Sequence, residues 1–185
     1  MAFKFPEENW HILLSPERES WQSIQNFLRT AEPKEEEVWA DIGCGPGYFT
    51  LPLARRVRRV YAIDSSDFML SVCFERAKEE RLGNVEVLQC TEESIPLENK
   101  SVDVSLLANL FHELLKPDKF MEEVRRITRS KVILIDWHPV PSPAGPPIQD
   151  RVPKESLIEF MESRNFKLLE DNPIYPYHYF LVFKP

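Results

Sequence analysis

Val38-Trp39-Ala40-Asp41-Ile42-Gly43-Cys44-Gly45-Pro46-Gly47-Tyr48-Phe49-Thr50 is the stretch around which the rest of the chain is arranged. A short apolar run carries an aspartate, glycines follow at 43, 45 and 47, and the next residues are able to start a helix. A strand, a tight turn and a helix N-terminus in that order build a nucleotide or cofactor cradle. Glycine there admits positive φ and lets a ligand approach without a Cβ in the way.

The spacing narrows the ligand. A dinucleotide fingerprint needs a third glycine where Tyr48 stands, and no Gly-Lys-Ser/Thr follows as a phosphate loop would require. Asp41, two residues before the first glycine, is placed to meet a cationic group. Asp64 closes the next apolar run, Val60–Ile63, where a carboxylate accepts the hydroxyls of a ribose. A ribose, a cationic end and no phosphate describe S-adenosylmethionine.

Outward from this stretch, apolar runs alternate with helical patterns. Strands are expected at 38–42, 60–64, 85–88, 102–107 and 131–136, and helices after the glycines, over 68–81 with a stop at Gly83-Asn84, and over 117–128 with Phe120, Met121, Val124 and Ile127 inward. Such alternation implies βαβ units and a mainly parallel sheet covered on both faces. Right-handed crossovers gather the strand C-terminal ends on one edge, where ligands bind. Asp41–Gly47, Asp64, Thr91–Glu92, Asn109–Glu113 and Asp136–His138 all fall at such ends. A last helix follows Pro153, and 166–170 and 177–184 read as two strands paired as a hairpin, with His178 on the face opposite Tyr177 and Tyr179.

Ahead of the first strand, residues 1–14 read as irregular and aromatic, with Phe3, Phe5 and Trp10. Ser15-Pro16 opens one amphipathic helix with Trp21, Ile24, Phe27 and Leu28 inward, ending near Thr30. It serves as core packing or as a lid over a ligand. Residues 139–147 hold five prolines and read as a stiff surface loop leaving the ligand-binding edge.

Composition sets outer bounds. The chain has 185 residues, 43% hydrophobic and 29% charged, so a soluble globular protein of one domain is expected. No run approaches the ~18 apolar residues of a membrane span, the N-terminus lacks the apolar core of a signal peptide, and the cytoplasm is the expected compartment. The net charge of −7 weighs against a nucleic-acid partner. Arg55, Arg56, Arg58 and Arg59 suit a helix C-terminus. Cys44, Cys73 and Cys90 have no paired or metal-like spacing and are expected as reduced thiols. No metal is expected.

Asp41-Ile42-Gly43-Cys44-Gly45-Pro46-Gly47 resembles motif I of the class I S-adenosylmethionine-dependent methyltransferases, and the resemblance extends through Tyr61–Asp64, Leu88–Leu97 and Ser101–Leu106. The chain is similar to the small-molecule methyltransferases of the ubiquinone/menaquinone-biosynthesis type. A branch of the family shares the Phe-His-Glu turn, the Asp-Trp strand end and the Gly-Pro-Pro loop. The resemblance implies a Rossmann-like, doubly wound, mainly parallel seven-stranded sheet with a C-terminal antiparallel hairpin. It implies one domain over residues 1–185, with 1–34 a helical cap on the 35–185 core. For the cofactor it implies that Gly43, Gly45 and Gly47 line the methionine portion and Asp41 anchors its amino group. Asp64 would hold the ribose, Ser65 lie next to the adenine, Thr91 and Glu92 flank the adenine edge, and Asn109 lie beside the cofactor. Thr91 stands where many members have an aspartate.

Methyl transfer is a direct displacement, and a base is needed only if the acceptor loses a proton. His112 is the candidate base, with helix capping or core packing as its other reading. Glu113 reads as a solvated first-turn acid, and Trp137 and His138 as walls of an acceptor pocket or as packing. The expected activity is methylation of a small molecule. A protein acceptor, or a module that binds cofactor or partner without turnover, stays open beside it.

Overall fold

The computed structural model describes residues 5–185; Phe3, part of the aromatic N-terminal stretch, lies outside them. Seven strands form one sheet in the order β3-β2-β1-β4-β5-β7-β6. They are β1 (Val38–Ile42), β2 (Arg59–Asp64), β3 (Val85–Gln89), β4 (Val102–Ala108), β5 (Thr128–Trp137), β6 (Lys167–Asp171) and β7 (His178–Lys184). The first five run parallel, with Ile42 level with Ile63 on one side and Leu107 on the other. β7 is antiparallel to both β5 and β6. Strand order reverses between β1 and β4, which opens a crevice at their C-terminal ends.

Residue alternation along the strands assigns the two core layers. Val38, Ala40 and Ile42 of β1, Val132 and Leu134 of β5 and Tyr179, Leu181 and Phe183 of β7 share one layer with α5 (Pro117–Ile127) and α6 (Lys154–Glu162). Trp39, Ile133, Ile135, Phe180 and Val182 share the other with α2 (Ile24–Ala31) and α3 (Thr50–Ala54). The same alternation places Asp41 on the α3 face and Asp136 on the α5 face.

The N-terminal region departs from expectation in three ways. Glu7–Leu14 forms 3-10 helix where irregular chain was expected. The single helix expected over 15–30 is two, α1 (Pro16–Trp21) and α2, broken at Gln22, whose φ of −139° and ψ of 62° turn its amide into the protein interior. Ser15 makes no capping bond, whereas Ser23 accepts one from the Asn26 N–H. The helix after the glycines is short, and α4 (Asp67–Glu79) ends before Gly83, with Arg81 taking the left-handed turn at φ 58°. Asn84 instead donates to the Ala54 and Val57 carbonyls. Cys44, Cys73 and Cys90 are free thiols. No helix among the described residues is long and apolar enough to cross a membrane.

Phe27 of α2 is fully buried, its ring 4.9 Å from Phe49 and within ring-contact range of Trp39 and Phe180. Removing it empties a site that ties the cap to the sheet, so Phe27→Ala should cost about 3–5 kcal/mol of unfolding free energy. Urea titration checks this; a loss under about 1 kcal/mol would show that the cap is not part of the cooperative core.

Candidate active site

The C-terminal ends of β1 to β5 rim a cavity of about 650 Å³. Asp41, Gly43, Gly45, Asp64, Ser65, Thr91, Glu92, Asn109 and His112 all line it. Gly47 does not: a Cβ there would stand 2.8 Å from Leu51 and 2.9 Å from the Cys73 sulfur, at φ 89°. Glycine at 47 is thus demanded by packing of the turn onto α3 and α4.

The two acids behave differently. Asp41 is buried beneath α3 and accepts the Thr50 hydroxyl at 2.6 Å. Burial pushes its carboxyl up to about 6, and the nearby Asp64 adds to this, while the Thr50 hydrogen bond and Arg18 pull the other way. Asp64 is held in place by the Gly45 N–H at 2.9 Å and the Ser66 N–H at 3.0 Å. The tight turn and the next strand end are therefore joined through one carboxylate.

Thr91 and Glu92 sit at the rim. The Glu92 carboxylate accepts the Leu115 and Lys116 N–H groups at 2.9 and 2.6 Å and so fastens the turn leading into α5. Asn109 takes the left-handed conformation at φ 57° and exchanges two side-chain hydrogen bonds with Gln22, at 2.9 and 3.2 Å.

Gln22 belongs to a buried network outside the sequence expectations. Arg18 donates to Gln22 Oε1 from Nε and Nη2, at 2.9 and 2.7 Å, and from Nη1 to the Leu13 backbone carbonyl at 2.8 Å. Its guanidinium lies 3.8 Å from the centre of the Tyr48 ring, and burial lowers it to about 10. The Tyr48 hydroxyl lies 2.7 Å from the Gln22 carbonyl. Arg18, three residues before Trp21, occupies the inward stripe of α1; a charge on an apolar stripe was the available signal. Phe5, Ile12, Leu13, Arg18 and Trp21 all line the cavity, so this region covers the ligand-binding edge.

After Asn109 a 3-10 turn, Phe111–Glu113, brings His112 back over the end of β5. The fully buried Asp136 carboxylate accepts the His112 backbone N–H at 3.1 Å and the Trp137 N–H at 2.8 Å, and lies 2.7 Å from His112 Nδ1. Burial alone would lower the imidazole, but the Asp136 charge and hydrogen bond, with help from Glu113, raise it above its ordinary value. Glu113 is no solvated acid: burial pushes it up to about 7, it accepts the Phe5 N–H, and its Oε1 lies 3.9 Å from His112 Nε2. Trp137 walls the cavity, whereas His178 is fully buried, its ring 3.9 Å from Trp137 and stacked 5.6 Å from Trp21. Tyr179 lies in one core layer, and His178 packs on Tyr175 of the other, as alternation required.

The loop at 139–147 does not leave this edge. Pro143, Ala144, Gly145 and Pro146 fold back to line the cavity.

Comparison with known proteins places this geometry. Residues 40–135 match the family model described as a methyltransferase domain. A crystallised SAM-dependent methyltransferase from Aquifex aeolicus superposes with a TM-score of 0.92 at 27% identity, covering 98% of this chain and 99% of that one. The probable cobalt-precorrin-6B C(15)-methyltransferase (decarboxylating) of Methanothermobacter thermautotrophicus is 31% identical over 71% of this chain and 61% of its own length. The uncharacterized methyltransferase YcgJ of Bacillus subtilis is 28% identical over 60% of this chain and 45% of its own. The chain thus spans about half to three-fifths of the length of these two curated relatives. With the family model covering the sheet from β1 to β5, the chain belongs to the class I S-adenosylmethionine-dependent methyltransferases.

Proposed function

We propose that the protein transfers a methyl group from S-adenosylmethionine to a small-molecule acceptor, and that residues 1–185 work as one unit, 1–34 capping the 35–185 core. The observation that carries the reading is the cavity itself. Two carboxylates, a glycine turn and His112, which Asp136 orients, line it together under one cover. The donor set fits the cofactor. Asp64 suits the ribose hydroxyls, Asp41 the amino group, Gly43 and Gly45 the close approach of the methionine portion, Gly47 the turn beneath it. Ser65, Thr91 and Glu92 frame the adenine side, and Asn109 the side facing the cap. Bound there, the cofactor supplies an electrophilic methyl on a sulfonium.

The rest belongs to the chain. The cap shields part of the cavity from water, and a drier site favours charge-neutralising displacement. Asp136 orients His112, which takes the acceptor's proton. A base so arranged is superfluous for an acceptor with no proton to lose, which favours a protic one. The cavity, covered in part by residues between Phe5 and Trp21, favours a compact acceptor over a protein side chain on a bulky partner.

S-adenosylhomocysteine should raise the melting temperature, and Asp64→Ala should cost about 1.5–3 kcal/mol of binding; an unmoved melting temperature with both S-adenosylmethionine and S-adenosylhomocysteine would sink the reading. Ionised Asp41 is the form that holds an ammonium, so affinity by calorimetry should fall about tenfold per pH unit below about 6. Asp41→Asn should bind weakly with no such pH dependence. The raised imidazole of His112 means that its pair with Asp136 adds stability below the ordinary imidazole value, lost as pH rises through the folded value. Imidazole NMR should show His112 titrating high in the parent and lower in Asp136→Asn.

A further inference from the structure

Every N–H of the turn 43–47 is engaged within the protein. The Gly43 and Cys44 N–H groups both donate to the Ile63 carbonyl, at 2.7 and 3.0 Å. The Gly45 N–H donates to Asp64, and the Gly47 N–H to the Cys44 carbonyl at 3.0 Å. Pro46 has no N–H to give. Its carbonyl is held from outside the turn: Nη1 of Arg76, in the last turn of α4, donates to it at 2.5 Å, and no other donor among the described residues reaches it.

That bond falls where the backbone is least constrained by its own chemistry. Gly45 and Gly47 flank Pro46 at φ 51° and 89°, and glycine on both sides gives the stretch wide conformational freedom to lose. Gly45 and Pro46 line the cavity, whereas Gly47, Cys73 and Arg76 do not. α4 backs the turn. A Cβ at Gly47 would stand 2.9 Å from the Cys73 sulfur and 3.6 Å from Arg76 Nη1, and Cys73 and Arg76, three residues apart, share one helix face. Arg76 is half-buried, and Glu80, the acid four residues on, pairs with Arg55 instead. The guanidinium is thus committed to the turn and not to a surface ion pair.

We propose that Arg76 is a positioning residue for the methyl donor: through the Pro46 carbonyl it sets the turn that receives the methionine portion. This rests on the methyl-transfer reading and deepens it. Asp64 and Arg76 hold adjacent residues of the turn, the first by the Gly45 N–H and the second by the Pro46 carbonyl, so β2 and α4 fix it from two sides. Asp64 also serves the ribose, but Arg76 acts on the methionine side alone. Direct displacement needs its donor aligned, and a misplacement of about 1 Å costs on the order of 10²-fold. One N–H···O bond does not use the guanidinium fork, so an ammonium on a long stem can replace it.

The test compares two ligands by calorimetry on the full chain: S-adenosylhomocysteine, and methylthioadenosine, which keeps the adenosine and the sulfur but lacks the amino-acid portion. Arg76→Met should weaken S-adenosylhomocysteine by about tenfold, a difference of about 1.4 kcal/mol, and leave methylthioadenosine unchanged. Arg76→Lys should restore S-adenosylhomocysteine. Should Arg76→Met fail to fold, Arg76→Gln, with a shorter side chain and no charge, should show the same split. Equal weakening of both ligands marks a residue that only stabilises the fold and overturns the proposal, as does unchanged affinity for both or a loss that Arg76→Lys shares. A parent chain that binds neither ligand overturns the methyl-transfer reading itself.

Discussion

Strands β1 and β4 are hydrogen-bonded neighbours, yet the chain leaves them toward opposite faces of the sheet, β1 into α3 and β4 toward α5. Everything at the ligand-binding edge follows from this divergence. Two departing backbones cannot fill the space between them, so a crevice opens where their parallel pairing ends. The glycine turn occupies one lip and the Asn109–Glu113 segment the other. Asp41 and His112 face the same hollow although they lie on different layers of the protein.

Placing ionisable groups in such a hollow is costly, and the molecule offsets the cost locally. Asp41 has the Thr50 hydroxyl, Arg18 has two carbonyl oxygens and an aromatic face, and Asp136 has three N–H groups. Each buried charge is hydrogen-bonded, as burial requires. The arrangement leaves Asp41 and Glu113 with raised proton affinity and His112 with a proton held more firmly than in water. Groups perturbed by burial and a specific partner concentrate in clefts where chemistry is done.

Much of the fold was legible because its signals are local. Short apolar runs, glycines at 43, 45 and 47, and acids at strand exits fix the strands and their common edge without reference to distant residues. What escaped was decided by contacts far apart in sequence. The stripe Trp21, Ile24, Phe27, Leu28 is equally consistent with one helix or two; the pair of hydrogen bonds between Gln22 and Asn109, 87 positions away, holds the break. The Asp136–His112 pair spans 24 positions, so neither residue announces the other. The proline loop looked autonomous because its anchor, Arg151, which donates to the Pro146 and Ala144 carbonyls, follows it and carries no motif. Positions readable from residue types, such as Asp64 at the end of β2, came through; a setting created by enclosure, such as that of Glu113, did not.

The cover over the cavity is fastened to the opposite end of the chain. The Tyr175 hydroxyl donates to the Ser23 carbonyl across 152 positions, and Trp21 stacks on His178 of β7. β7 is itself paired on both sides and follows every other strand in sequence. Closing loops of this length is entropically the hardest step available to the chain. These contacts can form only once β7 is in place, so the cover over the ligand-binding edge is completed by the sheet's last strand.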